Sequence, residues 1–264
     1  MFRVEGCKGL LLGAGILLVA LPVRAQGNET YAGRITFFMG FVANGRAGAP
    51  FSATTKTAFE QTLGDGNRIH NETRGFQARD SSGRTRTETV EQCLIGEDGQ
   101  PHPQVRVEVD DPATQTDLEW HTGEDAQKVV QVLHRPAPRK MTPEDMAEMQ
   151  RRMKLDEIRQ KSESESRTEE KLGTRNLNGI SAEGYRTTQV IPAGAQGNEL
   201  PLKTTHEAWM SADTGLTLLV IEDDPRQRKS TFEYEDVTLR EPDPALFKAP
   251  DGYKVVEQHP TPTE

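Results

Sequence analysis

LGTRNLNGISAEGYRTTQVIPAGAQGNELPLKTTHEAWM, residues 172–210, is the segment that decides the fold class. Asn178-Gly179 separates two runs rich in Ile, Thr, Val and Tyr. This is the strongest short-range signal for a β-hairpin, because a two-residue type I′ turn needs positive φ at both positions. A glycine-containing loop follows at 192–201, and a third extended run leads to Trp209. The segment therefore predicts three consecutive antiparallel strands.

The rest of the chain repeats this pattern of extended runs and turns. Upstream, Gly64-Asp65-Gly66 and Asp80–Gly83 separate such runs, and Asp223-Asp224-Pro225 does the same downstream. Turns at spacings of roughly 10–20 residues, with no helical pattern between them, favour an up-and-down antiparallel sheet. Outside the segment above, the predicted strands cover 31–42, 51–63, 67–79, 84–95, 104–109, 118–121, 128–133, 216–222, 229–240 and 250–256. The apolar run at 31–42 is also compatible with a short helix.

One stretch in the middle of the chain has helical character instead. Thr142 can cap a helix, Pro143 suits its first position, and the acidic residues that follow favour the positive end of the helix dipole. Strong helix formers continue to about residue 161. We therefore expect a solvated, charged helix within an insert at about 142–171 that joins two halves of the sheet.

Three methionines of this insert, Met146, Met149 and Met153, share one helical face. Thioethers at this spacing could hold copper(I) in an oxidising compartment. The favoured interpretation is a small apolar stripe that lies on the sheet, because methionine fills irregular gaps well.

The first 25 residues have the pattern of an export signal. Arg3 and Lys8 form a charged start, residues 9–21 form an apolar run, and Val23-Arg24-Ala25 offers small residues before a cleavage site. The apolar run is too short to cross the roughly 30 Å hydrocarbon layer as a helix. We expect cleavage after Ala25, a periplasmic or extracellular location and no transmembrane segment in the mature chain. Residues 26–258 are then expected to form a single β-rich domain, with a disordered tail at 259–264.

The mature chain is strongly acidic. The whole chain has 32 Lys and Arg against 41 Asp and Glu. The signal removes three of the basic residues and one of the acidic residues, which leaves a net charge of −11. Such a surface repels nucleic acid, and no basic stripe offsets it.

The second half of the chain resembles known proteins in its layout. LGTRNLNGI at 172–180, the pattern W-x-S-x-D-T-G from Trp209 to Gly215 and the closing EPDPALFKAPDGY at 241–253 carry the resemblance. The chain is similar to a family of secreted bacterial proteins with no assigned activity, and in layout to outer-membrane lipoprotein carriers and related sensor domains. The resemblance implies a curved antiparallel sheet that wraps as an incomplete barrel around a helix. The expected fold class is therefore mainly β: a curved antiparallel sheet or half-barrel of about ten strands, with one central charged helix.

No motif in the chain points to catalysis, a metal or another cofactor. The six histidines are scattered, and no pair has the spacing that places two metal ligands on one helix face. There is no G-x-S-x-G elbow, calcium loop or phosphate loop. We therefore predict no catalytic residue, no metal site and no cofactor, although catalytic groups can also be assembled in space without a sequence motif.

Six large side chains on the predicted strands are the candidates for ligand binding. If the sheet is strongly curved, those on its concave side line an apolar groove, which is the usual place for a ligand. The alternative is that they form the core against the central helix and a short helical turn around Phe247. The six residues are Phe51, Phe59, Trp120, Tyr185, Trp209 and Phe232.

Three functions remain open at this point. The first is an exported, non-enzymatic protein that binds an apolar or peptide ligand, or an envelope partner, on the concave face of the sheet. The second is an enzyme whose site is built from the loops at 44–50 and 192–201, with Asp, Glu or His of shifted pKa in one cleft. The third is an envelope structural or adhesion module with an exposed apolar patch. The oligomeric state is not predicted.

Overall fold

A computed structural model of the chain describes residues 49–95, 101–124, 126–135, 141–164 and 167–258. Within these ranges the chain forms twelve strands, one α-helix, α1 (Pro143–Ser164), and one short 3₁₀ helix (Pro244–Phe247). The strands are β1 (Phe51–Thr62), β2 (Arg68–Arg79), β3 (Thr85–Ile95), β4 (Pro101–Asp111), β5 (Thr116–Thr122), β6 (Val129–His134), β7 (Arg167–Leu177), β8 (Ile180–Ile191), β9 (Leu202–Met210), β10 (Thr217–Asp223), β11 (Lys229–Thr238) and β12 (Lys254–Gln258).

All twelve strands belong to one open, curved sheet with the order β12-β6-β5-β4-β3-β2-β1-β11-β10-β9-β8-β7. Two meanders, β1–β6 and β7–β11, meet where β1 pairs with β11 in antiparallel orientation. This architecture confirms the predicted mainly β class with one helix. It differs in two respects: the described residues form twelve strands instead of about ten, and β12 pairs with β6 in parallel. The sheet is therefore mixed, because the chain crosses from β11 to the outer side of β6 before β12 begins.

The hairpin at Asn178-Gly179 has the predicted geometry. Asn178 has φ 53° and Gly179 has φ 84°, and Leu177 pairs with Ile180 on either side of the turn. The Asn178 side chain donates from Nδ2 to the carbonyl oxygen of Tyr234 on β11, at 2.6 Å. The turn is therefore specified locally and also tied to the middle of the sheet.

The predicted helical insert at about 142–171 is too long. α1 ends at Ser164, and β7 already begins at Arg167. Arg167 pairs with Gln189 and Glu170 with Arg186, so this stretch is the start of a strand along β8. Cross-strand pairing overrides the helix propensity of a short charged run, because that propensity amounts to only a few tenths of a kcal/mol per residue. The predicted strand at 31–42, the signal at 1–25 and the tail at 259–264 lie outside the described residues.

The expectation that the methionine stripe packs on the sheet is wrong. Met146, Met149 and Met153 are 44%, 45% and 63% exposed. Among the helix residues whose side chains are described, only Asp145 is partly buried and the others are exposed. The helix is solvated, as its charge predicts, and the core does not form against it. No helix in the described ranges combines the length and the apolar character needed to cross a lipid bilayer.

Two apolar clusters stabilise the sheet. One lies on β1 and on β7–β11, and it contains Phe51, Trp209 and Tyr234. The other lies on β2, on β4–β6 and under the 3₁₀ helix, and it contains Trp120 and Phe247. Each cluster combines residues that precede α1 in the sequence with residues that follow it.

The 3₁₀ helix closes the second cluster, as the turn around Phe247 predicts. Phe247 is buried, and the Arg84 guanidinium stacks 4.9 Å from its ring centroid. Arg86 donates from Nη1 to the carbonyl oxygen of Leu246 at 2.7 Å. These contacts fix the C-terminal segment on the sheet before it reaches β12.

Candidate functional site

The strand register assigns each side chain of the sheet to one of two faces. Residues directly opposite each other in paired strands point to the same face, and successive residues alternate between faces. Face 1 is the face that carries Phe51, Thr57 and Phe59 on β1, and face 2 is the opposite one. This assignment decides which of the six candidate side chains can touch the same ligand.

Four of the six candidates lie on face 1. Thr57 is opposite Phe232, and the same lateral row continues through Val220 and Ala208 to Tyr185. Phe59 lies two residues along β1 from Thr57, and Phe51 lies at the start of that strand, both on the same face. Phe59, Tyr185 and Phe232 are partly exposed, whereas Phe51 is buried. We call the part of face 1 on β1 and β8–β11 the aromatic half.

The two tryptophans lie on face 2. Trp209 is opposite Leu219 on β10 and Gly184 on β8, and the row continues to Lys56 on β1. Trp120 is opposite Val107, in a row that leads to Thr54. Both tryptophans are buried in the apolar clusters. The structure therefore brings Phe51, Phe59, Tyr185 and Phe232 to one face and places Trp120 and Trp209 on the other.

Contacts between aromatic rings run across face 1 from Phe232 on β11 to Phe51 at the start of β1. The ring centroids of Phe232 and Tyr234 are 5.2 Å apart, and those of Tyr234 and Phe51 are 5.7 Å apart, both in edge-to-face geometry. Burial raises the pKa of the Tyr234 hydroxyl, which donates to Oε1 of Gln77. The rings are thus held in one arrangement by packing and by a buried hydrogen bond.

A cleft of about 140 Å³ lies at this end, next to Phe51. Its walls come from residues 49–51, from Arg79 on β2, from the β9–β10 turn and from Leu239. The turn contributes Asp213, Thr214 and Leu216, and it is closed by a hydrogen bond from the Ser211 amide to the Leu216 carbonyl at 2.9 Å. The cleft therefore combines apolar walls with one guanidinium and one carboxylate.

Sequence reasoning did not identify Arg79 or the cleft, although a signal was present. The predicted turn at Gly64-Asp65-Gly66 is centred on Asp65, and folding the chain back about this residue places Phe51 opposite Arg79. The structure has this register. The W-x-S-x-D-T-G pattern marks the other wall, because its Asp213 and Thr214 line the cleft.

The other half of face 1, on β3–β6, is charged. Arg106 lies within ion-pairing distance of Glu91, Glu108 and Glu119, at 3.4, 2.8 and 2.7 Å. Burial raises the pKa of Glu108, because the effect of burial is larger than the opposing effect of the Arg106 charge. Burial likewise raises the pKa of Asp117, despite the nearby Arg135 guanidinium. Face 1 is thus amphipathic, with an aromatic half and a charged half.

The loop at 192–201 is largely exposed, and Gln196 in it accepts a hydrogen bond from Arg226 at 2.8 Å. Asn198 donates from Nδ2 to the carbonyl oxygens of Pro192 and Leu200, at 2.8 and 2.7 Å. The described carboxylates with a raised pKa lie on β4 and β5, away from this loop in the sheet order. No group of three or more metal-ligating side chains occurs in the parts of the chain that the structure describes.

Comparisons with known proteins give weak structural likenesses only. No family model and no curated protein matches the chain. Similar solved structures include the Pseudomonas aeruginosa MucA/MucB complex, with 14% identity, 84% of this chain and 63% of that chain covered, and a TM-score of 0.33. The Mycobacterium tuberculosis lipoprotein LppX has 12% identity, 79% and 97% coverage and a TM-score of 0.28.

A putative outer membrane lipoprotein-sorting protein domain from Vibrio parahaemolyticus has 10% identity, 78% and 92% coverage and a TM-score of 0.25. The weak similarity in layout to lipoprotein carrier-like proteins is therefore confirmed. The chain spans 61 to 66% of the MucB chains that it matches, slightly less than two thirds. Likenesses at these TM-scores carry no information about ligand or activity.

Proposed function

We propose that the mature protein is an exported, non-enzymatic binding protein that holds an apolar or peptide ligand on the aromatic half of face 1. The observation that carries this proposal is the partial exposure of Phe59 and Tyr185 on a single face, which also holds Phe232. Aromatic rings whose whole surface packs in the core are buried, as Trp120 and Trp209 are. Partly exposed rings such as those of Phe59 and Tyr185 keep apolar area available for a second molecule.

The spacing of these rings suits an elongated ligand. Phe232 and Tyr185 lie three strand spacings apart, which is about 14 Å across the sheet. Small or buried side chains, Val220 and Ala208, lie between them. Phe59 extends the surface along β1, where the Arg228 guanidinium stacks 4.0 Å from its ring centroid. A chain of several methylene groups or an extended peptide would contact all three rings.

The remaining parts of the proposal concern location and partners. The export pattern at 1–25 favours the periplasm or the outside of the cell, and the acidic charge of the mature chain disfavours nucleic acid. An envelope protein that presents an apolar extended segment would meet the same surface. In each case the protein binds and presents a molecule and performs no reaction on it.

The test is a titration with N-phenyl-1-naphthylamine, an uncharged apolar fluorophore. Tyr185→Ser and Phe59→Ser are each expected to weaken binding about fivefold or more, because each removes an aromatic contact area. Val190→Ser is the matched control: it is on β8 like Tyr185, is 41% exposed, and points to face 2. Equal effects of Tyr185→Ser and Val190→Ser would contradict the assignment to face 1, and failure of the native protein to bind the probe would contradict the proposed function.

A further inference from the structure

The cleft beside Phe51 contains a buried positive charge. Arg79 is 5% exposed, and its Nε and Nη2 donate to one acceptor, the carbonyl oxygen of Ala49, at 3.0 and 2.7 Å. Its guanidinium also stacks over the Phe51 ring, 5.3 Å from the centroid. These contacts hold the group in place, but they all involve neutral partners.

Arg79 has no anionic partner within the ranges that the structure describes. No carboxylate there lies within 4.0 Å of its guanidinium nitrogens, although ion pairs are common elsewhere on the same sheet, for example between Arg186 and Glu207. A buried charge is costly unless an opposite charge compensates it, so buried arginines are normally paired. Nη1 takes part in neither of the two hydrogen bonds to Ala49. Among the described residues, no negative charge compensates that of Arg79.

The walls of the cleft indicate what the missing anion is attached to. Phe51, Leu216 and Leu239 supply apolar surface next to the guanidinium. The volume of about 140 Å³ is close to that of an engineered cavity that accepts benzene, so a carboxylate and a few methylene groups fit. A planar guanidinium matches a carboxylate in geometry and in charge.

We propose that this cleft binds the carboxylate end of an apolar chain, with Arg79 as the group that holds the anion. This inference rests on the proposed function, because the rest of the ligand chain would extend from the cleft toward the partly exposed rings on the aromatic half of face 1. A fatty acid and the C-terminus of an apolar peptide share this chemistry. Asp213, which is exposed and lines the same cleft, opposes the ligand charge and limits its affinity.

The first experiment compares dodecanoate with dodecanol as competitors of N-phenyl-1-naphthylamine at pH 8. The two ligands have the same chain, so the difference isolates the carboxylate. The native protein is expected to bind dodecanoate about tenfold more tightly than dodecanol, the size of one charge-assisted hydrogen-bonded pair. A second pair, an apolar pentapeptide with a free or an amidated C-terminus, distinguishes a peptide source of the carboxylate from a fatty acid.

Substitutions of exposed cleft residues also test whether the cleft prefers a carboxylate, and they leave the core unchanged. Asp213→Asn is expected to tighten dodecanoate binding about threefold and to leave dodecanol unchanged, because it removes a like charge. Leu239→Glu, at a position that is 50% exposed, is expected to weaken dodecanoate binding about tenfold and to affect dodecanol less. These substitutions leave the buried contacts of Arg79 in place.

Arg79→Met is expected to abolish the preference for dodecanoate while dodecanol still binds. Arg68→Met is the matched control, because Arg68 is exposed at the other end of the same strand. The thermal midpoint of each variant reports whether it folds. Equal affinity within both ligand pairs in the native protein would overturn this inference and leave the proposed function standing. Failure of the native protein to bind the uncharged probe would overturn both.

Discussion

Tyr234 shows how a single buried hydroxyl holds the aromatic half of face 1 together. The side chain is fully buried between Phe51 and Phe232, and its hydroxyl donates to Gln77, which is also buried. Tyr234→Phe is expected to lower the free energy of unfolding by about 1–3 kcal/mol, because Gln77 Oε1 is left without a donor. Urea denaturation measures the change.

The control for this substitution is Tyr185→Phe, whose exposed hydroxyl bonds only to Glu183 and should matter little. In addition, Tyr234→Phe combined with Gln77→Leu should recover part of the loss, because both polar partners are then gone. No recovery in the double variant would show that the stability of this region does not depend on the hydrogen bond.

Gly184 illustrates a close approach that admits no side chain. A Cβ atom at this position would lie 2.8 Å from three atoms of the Trp209 ring. Gly184→Ala is therefore expected to destabilise the fold by about 1–3 kcal/mol, since the ring is buried and must shift. Gly64→Ala is the matched control, because nothing lies within 4 Å of its added atom. A similar thermal midpoint for the two variants would contradict the packing described for Trp209.

At the scale of elements, the pairing of β8 with β9 makes stability depend on pH. Burial pushes the pKa of Glu207 upward, but hydrogen bonds from Trp209 and Arg186 outweigh it, so the pKa is lowered. A carboxylate whose pKa is lowered on folding stabilises the protein above its unfolded pKa, and this contribution is lost as the pH falls through the folded value. Glu207→Gln should therefore cost stability at pH 7 and much less at about pH 3.

Unfolding in urea at the two pH values checks this expectation. Glu199→Gln, at an exposed position in the 192–201 loop, is the control and should change stability little at either pH. An equal cost of Glu207→Gln at both pH values would mean that its charge contributes nothing to the pairing of these strands.

The helix α1 is expected to contribute little to the stability of the sheet. Replacing Met146, Met149 and Met153 together by Gln should change the free energy of unfolding by less than about 1 kcal/mol, because these side chains are already exposed. Circular dichroism verifies that the helix persists. A loss of several kcal/mol would show that the stripe is buried in solution.

Elements governed by local chemistry are the ones that sequence reasoning predicts well. Asn178-Gly179 and the turn at Gly64–Gly66 depend on residues that must adopt special backbone geometry, and both hairpins occur as predicted. The end of α1 was predicted poorly, because Arg167–Lys171 takes its conformation from β8, a partner that lies further along the chain. The parallel pairing of β12 with β6 depends on residues more than 100 positions apart and has no local signal.

At the scale of the whole molecule, the arrangement of the candidate site follows from register across several strands. The sequence identifies the six large side chains, but their faces depend on the pairing of β1 with β11 and on the bulges between strands. A shift of one residue moves a side chain to the opposite face. This is why Phe59, Tyr185 and Phe232 come together while Trp120 and Trp209 lie on the other face, and why the burial of Arg79 was missed.

The most direct test of the account is ¹⁹F NMR of protein that carries fluorinated phenylalanine or fluorinated tryptophan, titrated with dodecanol. Binding on the aromatic half of face 1 predicts that the Phe59 and Phe232 resonances, assigned by substitution, shift with the ligand. The Trp120 and Trp209 resonances should stay where they are, because both rings are buried on face 2. Shifts confined to the two tryptophans, with no change at Phe59 and Phe232, would contradict the central claim that face 1 is the binding surface.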